Sequence, residues 1–183
     1  MDSATPMGFR GKRIFWILAL GLAAADLFTK WAAFEAVRTQ GVASYLHGGE
    51  KAITVIPGFF YLTEVWNPGG IWGIAQDGWK STALVVFRVI AVPALVLLAA
   101  RTPAIERRLV VALSMFCAGA IGNLYDNLIH RKGVRDFLDF FLIGESGYHY
   151  PTFNLADACI VCAALLVALD AVLPRPTPQT SQA

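Results

Sequence analysis

Four stretches of the chain are almost wholly apolar, and they alternate with segments that contain most of its polar, glycine and proline residues. The apolar stretches cover residues 14–33, 81–100, 109–129 and 154–173. Each is about 20 residues long, which is enough for a helix to cross about 30 Å of hydrocarbon. A basic tail precedes the first stretch, but no small-residue cleavage site follows, so we expect this stretch to remain as the first of four spanning helices.

The long polar segment between the first two stretches has a different pattern. Residues 53–56 and 59–65 are rich in β-branched and aromatic residues, and Pro57 and Gly58 separate them. This composition predicts two strands joined by a turn. Because an isolated hairpin is only marginally stable, we expect a small β-sheet, within about residues 37–79, that rests on the helices.

The predicted fold class is therefore membrane all-α, with four transmembrane helices and a small extracytoplasmic β-cradle inserted between helices 1 and 2. Residues 1–173 form a single integral membrane domain in this interpretation, and the polar, proline-containing residues 174–183 form a disordered tail. Basic residues cluster before the first helix and in the turn at 101–108. These clusters favour a multi-pass topology with both termini in the cytoplasm.

Composition narrows the functional class. Of the 183 residues, 56% are hydrophobic, which is typical of a membrane protein rather than of a soluble domain. The net charge of +2 comes without a basic stripe of the kind that binds nucleic acid, so we expect no nucleic-acid partner. Cys117, Cys159 and Cys162 all lie in apolar stretches, and their odd number implies no disulfide framework.

Acidic and amide residues occur inside these apolar stretches, where they cost several kcal/mol unless paired and so indicate a functional site. Helix rise places Asp26, Asp126 and Asp157 about 18 to 26 Å from the cytoplasmic ends of their helices. Their shared height favours one common site over three independent packing roles. Lys30 lies one turn from Asp26, so the two can form an ion pair or a charged wall facing a substrate. Asn123 shares a side with Asp126, for which a structural role in binding loop amides is equally open.

Asp136, in the loop after the third helix, and Asp157, in the first turn of the fourth, can form a catalytic pair. Asn154 can cap that turn or orient the Asp157 carboxylate. Two carboxyls packed together hold one proton between them. One can then take a proton from water while the other donates to a peptide carbonyl oxygen, as in an aspartic peptidase. The alternative is that Asp136 is a solvated acid and Asp157 only part of a helix cap.

Four patches of the chain, in order, resemble the bacterial lipoprotein signal peptidases, the signal peptidase II family. They are Asp26-Leu-Phe-Thr-Lys30, Asn67-Pro-Gly69, Gly122-Asn-Leu-Tyr-Asp126 leading to Val134-Arg-Asp136, and Phe153-Asn-Leu-Ala-Asp157. Any one patch is a weak signal. The ordered set, together with the four-helix layout, covers nearly the whole chain.

The resemblance implies an aspartic endopeptidase of the bacterial cytoplasmic (inner) membrane with its active site near the outer face. Its partners would be membrane lipid and a prolipoprotein, cut before a cysteine carrying a diacylglyceryl group, and the cyclic peptide globomycin would block it. We expect it to act as a monomer, without metal or cofactor. The resemblance implies Asp136 and Asp157 as catalytic residues. The substrate-binding or supporting residues would be Asn67, Gly69, Asn123, Asp126, Asn154, Asp26 and Lys30.

The chain departs from the family pattern after Asp126, where arginine is usual and Asn127 stands here. The segment from Asp126 to Asp136 is also one residue longer than the common form. We expect Arg131 or Arg135 to supply the missing positive charge.

A small channel or transporter subunit is the main alternative function. In that case Asp26, Asp126 and Asp157 would line a proton or cation path. Arg88, inside the second apolar stretch, fits either function, because a buried arginine commonly pairs with an acid. A metal hydrolase fits less well, since the three histidines of the chain lack the spacing of a zinc site.

Overall fold

The computed structural model describes residues 9–43, 50–68, 78–103, 106–130, 132–142 and 148–173, which form four long helices and one sheet. The helices are α1 (Phe9–Gln40), α2 (Gly78–Arg101), α3 (Arg107–Ile129) and α4 (Leu155–Val172). The strands are β1 (Val42–Ala43), β2 (Lys51–Ile56), β3 (Phe60–Asn67), β4 (Val134–Leu142) and β5 (Tyr148–Phe153).

All four helices are long and apolar enough to cross a membrane, which confirms the four predicted spans. Their exposed surfaces carry large apolar side chains, among them Ile17, Phe87 and Leu165. Such surfaces are unfavourable in water and suit contact with lipid tails. The predicted disordered tail, 174–183, lies outside the described residues and stays a prediction.

Helix α3 is the centre of the helical part, because it packs against each of the other three helices. Glycines on α3 allow the close approach. A Cβ on Gly119 would lie 2.6 Å from the backbone oxygen of Ala156 in α4, and a Cβ on Gly122 would collide with Asp26 Oδ2 in α1. Neither position has room for a side chain. Glycine at these two positions therefore allows α1 and α4 to pack closely against α3.

The five strands form one antiparallel sheet in the order β1-β2-β3-β4-β5. Strands β2 and β3 confirm the predicted hairpin, and Gly58 in the turn has a φ of 72°, which glycine adopts without steric cost. The predicted placement of the sheet needs correction. Only β1 to β3 lie between α1 and α2, whereas β4 and β5 lie between α3 and α4.

Strand β4 differs from the loop that the sequence predicts, because it carries charged residues at Arg135, Asp136 and Asp139. All three are buried in the structure. A half-buried strand alternates apolar and polar residues. This pattern is absent from β4, because residues on both of its faces are buried and its charged residues find their partners only in the folded protein.

The sheet rests on the C-terminal end of α1. Ala33 and Phe34 of α1 form a buried apolar cluster with Phe137 of β4, and Trp66 of β3 packs against it. This cluster joins the sheet to α1, and α4 begins directly after the last strand.

Candidate active site

Asp136 is positioned by the pairing of β3 with β4. In this register Val65 lies opposite Asp136, and Asn67 lies opposite Val134. Asn67 Nδ2 donates a hydrogen bond of 3.0 Å to Asp136 Oδ2. The sheet thus places a buried carboxyl beside the helices, where the sequence predicted only a loop residue.

Asp157 is positioned by the start of α4. Strand β5 ends at Phe153, and Asn154 caps the helix through a reciprocal pair of bonds known as a capping box. Asn154 Oδ1 accepts from the Asp157 backbone N–H at 2.9 Å, and Asp157 Oδ2 accepts from the Asn154 backbone N–H at 3.3 Å. The predicted capping role of Asn154 is confirmed.

One residue, Asn154, binds both carboxyl groups of the predicted pair. Its side-chain Nδ2 donates to Asp136 Oδ1 at 2.5 Å, while its backbone N–H donates to Asp157 Oδ2. Asn123 Nδ2 donates a further bond of 2.8 Å to Asp157 Oδ1. Asp136 is 1% exposed, whereas Asp157 is partly exposed, so a ligand can approach the pair from the Asp157 side.

Burial raises the pKa of Asp136 to about 7, and the adjacent charge of Asp157 adds to the increase. Hydrogen bonds from Asn67 and Asn154 and the positive charge of Lys30 act in the opposite direction but are outweighed. A carboxyl with a pKa near 7 is largely protonated just below neutral pH. It can therefore act as a proton donor at neutral pH.

A buried ion cluster lies next to the pair and is centred on Lys30. Its Nζ lies 2.7 Å from Asp26 Oδ2 and 3.4 Å from Asp126 Oδ2, and it donates to Asn123 Oδ1 at 2.9 Å. Because an ammonium group can only donate, this contact fixes the orientation of the Asn123 amide. Asn123 must then present its NH₂ group to Asp157, so Lys30 orients Asp157 through Asn123.

Asp126 binds the start of β4. Its Oδ2 accepts from the Arg135 backbone N–H at 2.9 Å, and its Oδ1 accepts from Arg135 Nε and from an Arg135 terminal nitrogen, at 3.1 and 2.7 Å. The structural role considered for Asp126, binding loop amides, is therefore present. The guanidinium of Arg135 thus contacts Asp126 and not Asn127. The guanidinium that contacts Asn127 is that of Arg88 in α2. Arg131 lies outside the described residues.

Asp26 joins a third helix to the cluster. Its Oδ1 accepts from the Ala156 backbone N–H, in the first turn of α4, at 2.8 Å. The carboxylate thus satisfies an N–H that has no partner within the helix. Asp26 and Lys30 form the predicted ion pair, and Asp26 also connects α1 to the start of α4.

Every predicted site residue that the structure describes belongs to one connected network, and only Gly69 lies outside the described residues. Two contacts were not predicted from the sequence, those from Arg135 to Asp126 and from Arg88 to Asn127. An arginine in the middle of an apolar helix was a signal for the second, but its partner could not be identified from spacing. Among the described residues, no three histidine, cysteine, aspartate or glutamate side chains are grouped so as to hold a metal ion.

Gly133 allows Asn67 to reach Asp136. Its φ is 110°, and a Cβ there would collide with the Asn67 backbone oxygen. We expect Gly133→Ala to displace Asn67 from Asp136 and to slow proton transfer at the pair by roughly 10- to 100-fold, because a small misplacement of a reacting group is costly. Gly21→Ala is the control, since a Cβ at that position meets no atom within 4 Å. Equal rates for both variants, measured with equal amounts of folded protein, would contradict this role.

Comparison with known protein sequences shows similarity to one family. The family described as Signal peptidase (SPase) II matches residues 18–173. A lipoprotein signal peptidase of Neisseria meningitidis (serogroup C, serotype 2a) is 33% identical over 168 residues, which cover 91% of this chain and 93% of that protein. The lipoprotein signal peptidase of Alteromonas mediterranea is 31% identical over 162 residues, covering 87% of this chain and 80% of that protein.

Two solved structures share the fold, and both are described as bacterial membrane enzymes determined by the in meso method. One, at 2.3 Å resolution, has a TM-score of 0.71 and 27% identity and covers 91% of each chain. The other, at 1.9 Å resolution, has a TM-score of 0.69 and 25% identity and covers 92% of this chain and 97% of that chain.

Proposed function

Because the chain belongs to the signal peptidase II family, a family of bacterial membrane proteases, we propose that it is an aspartic endopeptidase that removes signal peptides from prolipoproteins. The proposed cut lies just before the cysteine that carries a diacylglyceryl group. The catalytic residues are Asp136 and Asp157, and Asn67, Asn123 and Asn154 hold them in position.

The observation that carries the aspartic mechanism is the binding of both carboxyls by Asn154. The shared partner keeps two acids close together, and two such acids cannot both ionise readily. The burial of Asp136 makes it the member that holds the shared proton. Asp157 accepts hydrogen bonds from Asn123 and from the N-terminal backbone of α4, so both of its carboxyl oxygens are held in place as acceptors.

These two states suit the two halves of peptide hydrolysis. Asp157 takes a proton from a water molecule as the water oxygen attacks the peptide carbonyl carbon, and Asp136 donates its proton to the carbonyl oxygen. When the resulting tetrahedral intermediate collapses, the C–N bond breaks and the proton on Asp157 passes to the leaving nitrogen. The hydroxyl that Asp136 protonated then returns its proton to Asp136, and both carboxyls regain their starting states.

The position of the pair suits a substrate anchored in lipid. Asp157 lies in the first turn of a helix long enough to span a membrane, and the sheet packs beside it. A precursor whose acyl chains remain in the bilayer can present the adjacent peptide bond at this level. The partial exposure of Asp157 leaves a route to the carboxyls.

The direct test uses the purified full-length protein reconstituted in liposomes with a diacylglyceryl-modified prolipoprotein. We expect conversion to a shorter product whose N-terminus, by mass spectrometry, is the lipid-modified cysteine. The unmodified precursor should remain intact, and a chelator should leave the rate unchanged. An intact modified precursor, or cleavage at another bond, would contradict the proposal, and ion flux without cleavage would favour the channel alternative.

The pKa of Asp136 predicts a basic limit to the activity. As the pH rises through about 7, Asp136 loses its proton and a second negative charge forms beside Asp157. Because the proton donor is lost, kcat/KM should fall about tenfold per pH unit above that point. A profile of kcat/KM from pH 5 to 9 measures this limit, and constant activity up to pH 9 would contradict it.

We further propose that both termini are cytoplasmic, in the bacterial inner membrane, and that globomycin binds across Asp136 and Asp157. In intact spheroplasts, a membrane-impermeant thiol reagent should label Lys51→Cys, at the start of β2, and leave Arg101→Cys unlabelled. The reverse labelling pattern would contradict this topology.

Globomycin, if bound across the two carboxyls as proposed, should compete with the modified precursor in the cleavage assay. The absence of competition would contradict this binding site.

A further inference from the structure

Arg88 is the charged residue in the interior of α2, where burial of a charge in lipid or protein requires a partner. Its guanidinium donates a hydrogen bond to Asn127 Oδ1, two residues before the end of α3. Both side chains are half-buried. Asn127 is neutral, so this hydrogen bond fixes the position of the guanidinium but does not neutralise it.

The acids whose charges act on Arg88 are the two proposed catalytic residues. Asp157 and Asp136 each attract the Arg88 charge, and the interaction with Asp157 is the larger. Arg88 therefore acts on the pair from α2 through its charge.

The other cations near the pair are already bound to other acids. Lys30 and Arg135 are bound to Asp26 and Asp126, which leaves the catalytic pair without a cation of its own in direct contact among the described residues. Among the described residues, this group of charges consists of four carboxylates, Asp26, Asp126, Asp136 and Asp157, and three cations, Lys30, Arg135 and Arg88. With one proton shared by the pair, the positive and negative charges of this set are equal.

His130 does not disturb this balance. Its Nε2 lies 3.9 Å from Asp126 Oδ1, but burial and the positive charge of Arg135 lower the pKa of His130. The imidazole is therefore largely neutral near pH 7. The side chains that hydrogen-bond to the pair in the described part of the chain, Asn67, Asn123 and Asn154, are neutral amides.

We propose that Arg88, tethered by Asn127, is a positioning residue that sets the charge of the Asp136–Asp157 pair and holds it at one shared proton near neutral pH. This inference rests on the proposed peptidase function. A nearby positive charge favours each ionised carboxyl, so it shifts both ionisations of the pair to lower pH. Without Arg88, the singly protonated pair should form over a more alkaline range.

The test is the pH profile of kcat/KM for the full-length protein in liposomes with the diacylglyceryl-modified precursor. Arg88→Gln should move both limbs of the profile to higher pH by about one unit, which is the lower end of the effect of a close opposite charge. Arg101→Gln is the matched control, because Arg101 is an exposed residue in the last turn of the same helix. Its profile should coincide with that of the unmodified protein.

A second variant separates charge from packing. Arg88→Gln combined with Asn127→Arg places a cation on the opposite side of the same contact, and its profile should return toward that of the unmodified protein. An Arg88→Gln profile that is lower but unshifted would overturn the proposal, and so would a double variant that keeps the full shift of Arg88→Gln. If the unmodified protein does not cleave the precursor, it is the peptidase function that fails.

Discussion

Asp136→Asn and Asp157→Asn are each expected to reduce kcat for precursor cleavage by about 10³-fold or more, within the range that proton transfer by a positioned side chain contributes. Asparagine keeps the shape of aspartate but can neither take a proton from water nor supply one to a carbonyl oxygen. The amide introduced by Asp136→Asn would reproduce the neutral charge of protonated Asp136 and still fail to transfer a proton. Loss of activity in this variant would thus separate proton transfer from electrostatics.

The control for both variants is Asp170→Asn. Asp170 lies near the end of α4 opposite to Asp157 and faces Arg108 at 3.5 Å, so it shares the helix but not the site. Its substitution should leave cleavage within about twofold, because a partly exposed ion pair contributes little. Thermal unfolding in detergent verifies that all three variants are folded. If either catalytic variant were folded and kept a tenth of the activity, the aspartic mechanism would be wrong.

Lys30→Met is expected to destabilise the protein by about 3 to 5 kcal/mol, the cost of removing one member of a buried ion pair. Lys30 is 0% exposed and lies between Asp26 and Asp126, each of which is 1% exposed or less. Without the ammonium group, Asp26 would be left as a buried charge whose hydrogen bond from Ala156 is its one remaining polar contact in the described structure. Asp126 would keep Arg135 as its partner.

This asymmetry between the two acids defines the experiment. Adding Asp26→Asn to Lys30→Met removes the isolated charge and should restore more than half of the lost unfolding free energy. Lys51→Met is the control, since Lys51 is an exposed residue whose ammonium bonds a backbone oxygen of α1, and its loss should cost less than about 0.5 kcal/mol. The measurement is the free energy of unfolding in detergent with increasing denaturant. A double variant no more stable than Lys30→Met would show that packing, not charge, explains the loss.

The features that were predictable from the sequence are those set by neighbours along the chain. Helix length follows from runs of about 20 apolar residues, because backbone groups in lipid must be bonded within the segment. The turn at Gly58 and the cap at Asn154 follow from local backbone geometry. The pairing of Asp26 with Lys30 follows from a spacing of one helical turn.

The tertiary structure alone decided which distant residues meet. Asp136 lies on a strand and not in a loop, because the register of β3 on β4 buries it beside Asn67. Arg135 binds Asp126, and Arg88 on another helix supplies the cation beside Asn127. A charged side chain in an apolar segment reveals that it needs a partner, but the identity of the partner depends on helix packing and strand register. Helix packing and strand register both arise from contacts between residues far apart in the chain, so they cannot be predicted from the spacing of residues along it.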